Sequence, residues 1–302
     1  LSRAALLPHL DEFATALGRT WAGRAPDVVH LHSWQSGLAV REPEAPVTQS
    51  LHGLESTKDS AGSSKVAELE LMTSMTADRV LAASSDEVLR LTRLGVPRAR
   101  MARVPWGVDT TLFSPNGPAA PRGAAPRVLA LGEVAPHSGF DTVVQALLAV
   151  PDAELVVVGP IRSAVPREDP ELTRLVQLAR KHDVAHRLRF TGELDRTALA
   201  ALLRSADVAV CVPWREPSGI RALQAMACGV PVIASTVGAL TDIVINDLTG
   251  VLVPPRDPAA LGQALHDLLA DPLRREVCAI TGADRARNRF SWERVAAEVV
   301  RA

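Results

Sequence analysis

The chain has 302 residues, a net charge of −1, and a composition that is 47% hydrophobic and 22% charged. That length suits two domains, and a balanced charge with no basic stripe or acidic tail argues against nucleic acid as a partner. No run approaches the ~20 apolar residues that cross a bilayer, so no span is expected and only peripheral membrane contact stays open.

The chain opens on Leu1 within an amphipathic pattern (Leu6, Leu7, Leu10, Phe13, Leu17), read as a helix of a protein whose start lies upstream. No signal peptide is visible. Residues 27–32 (DVVHLH) and 45–53 (APVTQSLHG) read as strands, the second ending in His52-Gly53. A helix over 65–75 leads to a strand at 78–84, a helix at 86–94 and a short strand with a turn at 101–109. His30 and His32 alternate on the first strand and so share a face. A metal pair is one reading; packing is the plainer one, because no third ligand has suitable spacing.

Residues 114–126 (SPNGPAAPRGAAP) carry no hydrophobic period and read as a linker. The alternation then restarts, with strands expected at 127–133, 153–160, 187–192, 206–213, 230–235 and 250–255. Helices are expected at 140–149, 171–182, 196–205, 239–245, 257–270 and 272–287, plus one opening the stretch discussed below, and an amphipathic helix ends the chain at 290–302. Strands alternating with helices indicate α/β units with parallel sheets. The first half shows about three strands, few for a domain of this type. Cys211 and Cys228 lie in apolar runs and none of the three cysteines has metal-type spacing, so the thiols read as reduced and the protein as cytoplasmic.

The stretch VPWREPSGIRALQAMACGVPV (212–232) carries the chemistry. A Pro-Ser-Gly turn follows a strand and opens a helix. The N–H groups of Ser218, Gly219 and Ile220 would then point out of the helix end and favour an anion. Glu216 just outside suits sugar hydroxyls, and Gln224 could bridge a vicinal diol. The plainer alternative is a strand–helix junction with a solvated Glu and a surface Gln, and physics alone leaves both open.

The stretch resembles the E-x7-E signature of retaining GT-B glycosyltransferases of family four, also called glycosyl transferases group 1. The resemblance covers essentially the whole chain, including VVHLHSW (28–34), SLHG (50–53), VPWGVDTTLFSP (104–115), RLRFTGEL (187–194), AMACGVPVIAS (225–235) and GVLVPPRDPAALGQAL (250–265). It implies two Rossmann-like doubly wound domains facing a cleft, the first incomplete here. The family's amino-terminal Gly-rich loop is absent, which fits a missing piece of roughly 80–100 residues. The implied division is a partial acceptor-side domain at 1–113, a linker at 114–126, a nucleotide-sugar domain at 127–287, and a helix at 288–302 crossing back to the first domain.

The resemblance also implies roles. Glu216 matches the signature residue that contacts the donor sugar, and Ser218, Gly219 and Ile220 match the segment facing the distal phosphate and sugar. Gln224 matches the second Glu, which holds the ribose. Leu194 matches the base-reading turn, and His52 a cleft histidine near the reacting carbon. No cofactor and no metal is implied. The partners are a nucleotide-diphosphate sugar and an acceptor that the sequence does not specify.

Three positions depart from the pattern. Where the family reads G-R-x4-K-G, this chain reads GEVAPHSG (132–139). After Gly132, Glu133 replaces Arg, Ser138 replaces Lys, and farther on Gln224 replaces Glu. The missing cations should matter most, since they stabilise charge that builds on the departing diphosphate. His137, Arg162, Arg215 and Arg221 are candidate substitutes, although a lone Arg on a loop or helix is ordinarily a solvated charge. Two functions are therefore set side by side. One is a retaining, metal-independent glycosyltransferase. The other is a catalytically degenerate relative that binds a ligand or partner.

Overall fold

The computed structural model describes residues 7–41, 43–54, 63–161 and 168–302. They divide into two compact units. One takes the described residues of Leu1–Pro105 together with Ala297–Ala302, and the other takes Trp106–Ala296.

The first unit holds a parallel sheet in the order β1 (Val29–His32), β2 (Val47–Ser50), β3 (Arg79–Ala82), β4 (Met101–Arg103). The short segment at 101–109 thus supplies a full member, pairing Val80 with Met101, and the sheet has four strands among the described residues. Helices α1 (Leu10–Gly23), α2 (Trp34–Ala39), α3 (Ser63–Thr76) and α4 (Ser85–Arg93) accompany it. Helix α2 leaves no signal in the sequence, because its six residues are too few to display a helical period. The Ser84 hydroxyl starts α4 by accepting from Glu87 N at 3.1 Å. Val80, Ala82, Leu91, Val96 and Met101 form the buried core.

The second unit is a six-stranded parallel sheet. Its strands are β5 (Arg127–Leu131), β6 (Glu154–Val158), β7 (Leu188–Phe190), β8 (Val208–Cys211), β9 (Val232–Ser235) and β10 (Gly250–Val253). They lie in the order β10-β9-β8-β5-β6-β7. Both faces are covered, as the continuous apolar runs foretold. Along β5, Leu129 and Leu131 enter one core layer while Val128 and Ala130 enter the other. The helices are α5 (Phe140–Ala146), α6 (Pro170–Lys181), α7 (Arg196–Arg204), α8 (Ile220–Ala227), α9 (Leu240–Ile243), α10 (Pro258–Ala270) and α11 (Pro272–Phe290), with α12 (Trp292–Arg301) closing the chain. Asp169, Asp195, Asp257 and Asp271 each cap a helix through a carboxylate that accepts a backbone N–H.

The Pro-, Gly- and Ala-rich stretch is tied to this second unit. Arg204 on α7 donates to the carbonyls of Leu112, Ser114 and Pro118 at 2.7, 2.8 and 3.0 Å, and Ala120 N donates to Ala201 O at 2.8 Å. Among the described residues no helix is long and apolar enough to cross a membrane.

Strand order places the site. β5, first in the unit, has β6 on one side and β8 on the other, so successive connections leave in opposite directions. The crevice beyond the carboxyl ends at that reversal is where open parallel sheets bind ligands.

Candidate functional site

Four loops meet beyond the carboxyl ends of β5 to β8. Gly132 N donates to Val158 O at 3.0 Å, Gly159 N to Gly192 O at 3.1 Å, and Trp214 N to His137 O at 2.8 Å. Gly159 (φ 150°) lets two of the loops touch, since a Cβ there would lie 1.7 Å from the Gly132 carbonyl oxygen. The crevice floor is therefore backbone held by backbone.

Glu216 is not a solvated side chain. Its Oε1 accepts from Ser218 N at 3.0 Å, Ser218 Oγ at 2.8 Å and Gly219 N at 2.9 Å. Gly219 has φ 65° and caps α8. This corrects the expectation of open N–H groups at this turn. Two of the three bond the protein's own carboxylate, and Ile220 N lies 3.4 Å from Ser218 Oγ. The bonds fall on one oxygen only. Among the described residues Oε2 has no hydrogen-bond partner and is the atom left to meet a ligand. The Glu216 carbonyl is also fixed, accepting from Ala239 N at 2.8 Å.

Along the start of α8 runs a groove of about 220 Å³ lined by Gly159, Glu193, Leu194, Leu199, Ile220, Arg221 and Gln224. Ile220, Arg221 and Gln224 fall on one face of α8 by helical spacing. The structure thus gathers Leu194, Ile220 and Gln224, expected from the sequence to meet one ligand, with Arg221, one of the four candidate cations. Gly159 and Leu199 were missed. Gly159 ends an apolar strand and was findable by that signal, whereas Leu199 reads as an ordinary helix residue.

The loop over 132–139 is closed by its own bonds. Ser138 is buried, and its hydroxyl donates to the Glu133 carbonyl at 2.6 Å. Its proton is therefore committed within the loop instead of being offered to a phosphate. Glu133 is half-buried, while His137 and Arg215 are exposed. Arg162 lies outside the described residues. A cation the sequence reading passed over is Arg256, whose guanidinium stacks 3.6 Å from the centroid of Trp214.

In the first unit, the carboxyl ends of β1 and β2 bring three histidines together. His32 Nδ1 lies 2.7 Å from His52 Nε2, and the His30 ring is 4.2 Å from that of His32. His30 Nε2 lies 2.9 Å from Ser50 Oγ. Alternation on β1 put His30 and His32 on one face, as read, and the fold adds His52 from the neighbouring strand. Partial burial, with the neighbouring His32 second, holds the His52 pKa below its ordinary value. His52 has φ 58°, and the next N–H, of Gly53, donates to Glu87 Oε1 at 3.1 Å. Glu87 Oε2 accepts from Ala83 N at 2.6 Å. Burial of this carboxyl raises its pKa against the pull of those two bonds.

Among the described residues no group of three or more His, Cys, Asp or Glu could hold a metal ion. Cys211, Cys228 and Cys278 are free and buried. Burial first and Glu216 second push the Cys211 thiol up to about 12, with Arg221 pulling the other way. Glu216 and Arg221 therefore both bear on the carboxyl end of β8.

Residues 119–285 match the family model for glycosyl transferases group 1, and residues 2–107 match that for a glycosyl transferase 4-like domain. A glycogen synthase of Mycobacterium tuberculosis strain H37Rv is 31% identical over 294 residues, spanning 92% of this chain and 68% of that protein. A D-inositol 3-phosphate glycosyltransferase of Xylanimonas cellulosilytica is 34% identical over 300 residues, spanning 91% and 70%. Among solved structures, sucrose-phosphate synthase from Thermosynechococcus elongatus superimposes with a TM-score of 0.86 at 29% identity, covering 100% of this chain and 79% of that one.

Proposed function

Because the chain belongs to the glycosyl transferases group 1 family, a family of nucleotide-sugar glycosyltransferases, we propose that the groove beside α8 is its donor site. The base lies against Leu194, the ribose diol against Gln224, and the sugar against Glu216. The observation that carries this reading is the anchoring of Glu216 through Oε1 alone. A carboxylate fixed by three donors on one oxygen keeps the other oriented toward a hydroxyl, at little entropic cost on binding.

In the reaction, the bond from the sugar's anomeric carbon to the distal phosphate oxygen breaks, and its electron pair stays on that oxygen. The acceptor oxygen bonds to the same carbon on the same face, giving retention, and the acceptor proton passes to the diphosphate. Gln224 can serve a diol with one acceptor and one donor, giving up charge assistance of perhaps 1–3 kcal/mol relative to a carboxylate. His52 is the catalytic cleft histidine near the reacting carbon. The three free, buried thiols support a reducing, cytoplasmic setting. The relatives' names point to different acceptors, and the acceptor of this chain stays unassigned.

The test is to incubate the protein with UDP-, GDP- and ADP-sugars and follow nucleotide release. One donor should be consumed, with product anomers of the donor's configuration by NMR, and Glu216→Ala should abolish the release. No release from any donor, with no binding of any nucleotide, would overturn the reading.

A further inference from the structure

Resting on that donor-site reading, we infer that Arg221 is the cation that neutralises the donor's diphosphate in this chain, in place of the loop over 132–139. That loop carries Glu133 and Ser138 where cations would stand, the Ser138 hydroxyl is committed to the Glu133 carbonyl, and its one candidate cation, His137, is exposed. A diphosphate that loses a glycosyl group develops negative charge, and fixed positive groups nearby supply much of the stabilisation.

Three observations select Arg221. Its side chain lines the groove together with Leu194 and Gln224. It is half-buried, yet among the described residues it makes no hydrogen bond and no ion pair, not even with Glu193, which lines the same groove. A guanidinium withdrawn from water without a carboxylate partner costs free energy that an anionic ligand would recover. Its position in the chain also fits. On one strand–helix connection, Glu216 comes first, then Arg221, then Gln224 one turn on. A ligand with its ribose at Gln224 and its sugar at Glu216 must carry its phosphates past the residue between them. Arg is suited to this, since its planar fork can bond two phosphate oxygens at once.

The alternatives fit less well. His137 and Arg215 are exposed and outside the groove lining, and Arg256 is stacked on Trp214. The assignment also gives the groove a specificity. It should select nucleoside diphosphates over nucleosides through this one side chain.

The experiment titrates UDP, GDP and ADP, and their nucleosides, into the wild-type chain, Arg221→Ala and Arg221→Lys. Arg221→Ala should weaken the preferred diphosphate at least ~10-fold while changing the matching nucleoside less than about 2-fold, and Arg221→Lys should recover part of the loss. Added salt should weaken wild type more than Arg221→Ala. Unchanged diphosphate affinity in Arg221→Ala would overturn the inference and leave the donor site standing. So would an equal loss for nucleoside and diphosphate, which would put Arg221 on the base or ribose. A wild-type chain that binds no nucleotide would bring down the donor-site reading and this inference together.

Discussion

The Glu216 carboxylate accepts the backbone N–H of Gly219 at 2.9 Å, so the turn ahead of α8 is closed by the side chain that we propose meets the donor sugar. The turn and the carboxylate that closes it are one unit. Removing Glu216 leaves the N–H groups of Ser218 and Gly219 without their acceptor. Glu216→Ala should therefore lose about 1–3 kcal/mol of stability by urea denaturation, and sulfate should restore part of it by entering the vacated turn. Loss of activity with no change in stability would show that the anchoring seen here is incidental.

Gly219 is the second half of that device. Its φ of 65° is one that L side chains rarely adopt, and an added Cβ would lie 2.1 Å from Ile243 Cδ1. The Ile243 tip can move; the backbone dihedral cannot. Gly219→Ala should cost about 1–3 kcal/mol and weaken donor binding with it. A variant as stable as wild type would mean that the turn relaxes freely.

Gln224 should read the ribose. Nucleotide and 2′-deoxynucleotide affinities should differ in wild type, and the difference should collapse in Gln224→Ala. Gln224→Glu should widen it by about 1 kcal/mol through a charge-assisted bond. Equal affinities for ribose and deoxyribose in wild type would move the ribose elsewhere.

The His32–His52 contact should keep His52 neutral to lower pH than an isolated imidazole. Its two facing nitrogens share one hydrogen bond, and His52 is held below its ordinary 6.5 by burial and by His32. The unfolded chain takes up that proton more readily than the folded one. The contribution to stability is thus complete above pH 6.5 and is lost as pH falls from there through the folded pKa. In an NMR titration of the ring protons, His32→Asn should raise the His52 pKa toward 6.5. A downward shift would contradict the pairing.

Glu87 titrates in the opposite sense. Burial raises its folded pKa above the ordinary 4.5, so its contribution is largest below 4.5 and declines as pH rises through the folded value. Each of its oxygens accepts a backbone N–H, from Gly53 and Ala83, and Glu87→Gln would turn an NH₂ toward one of them. That variant should be destabilised at acid pH, and the gap to wild type should narrow on moving from pH 4.5 to 7. A gap constant with pH would mean that Glu87 does not titrate in this range.

Much of this arrangement was legible in the sequence. Strands buried on both faces, such as Leu155–Val158 and Val208–Cys211, announce themselves as unbroken apolar runs. The Pro-Ser-Gly turn located the start of α8 within two residues. Short elements were harder. The helix expected over 239–245 narrows to Leu240–Ile243, because Val244 turns extended. Arg127 was invisible as a core residue. It opens an apolar strand, yet it is 2% exposed and bonds Glu154 and Ser205 at 2.5 and 2.7 Å, partners that only the strand order supplies. The same holds for the groove. Gly159 and Leu199 line one groove with Arg221 because β6 and β8 flank β5, a reversal that no local period encodes. The closing of the turn by Glu216 was missed for a different reason. Spacing places a carboxylate beside N–H groups without saying that it will accept from them.

Hydrogen exchange of the full chain, with and without saturating UDP, GDP or ADP, tests the donor site most directly. One of these nucleotides should slow exchange in residues 192–199 and 216–227, leaving α10 and α11 unchanged. Exchange unaltered in both segments by all three would contradict the account.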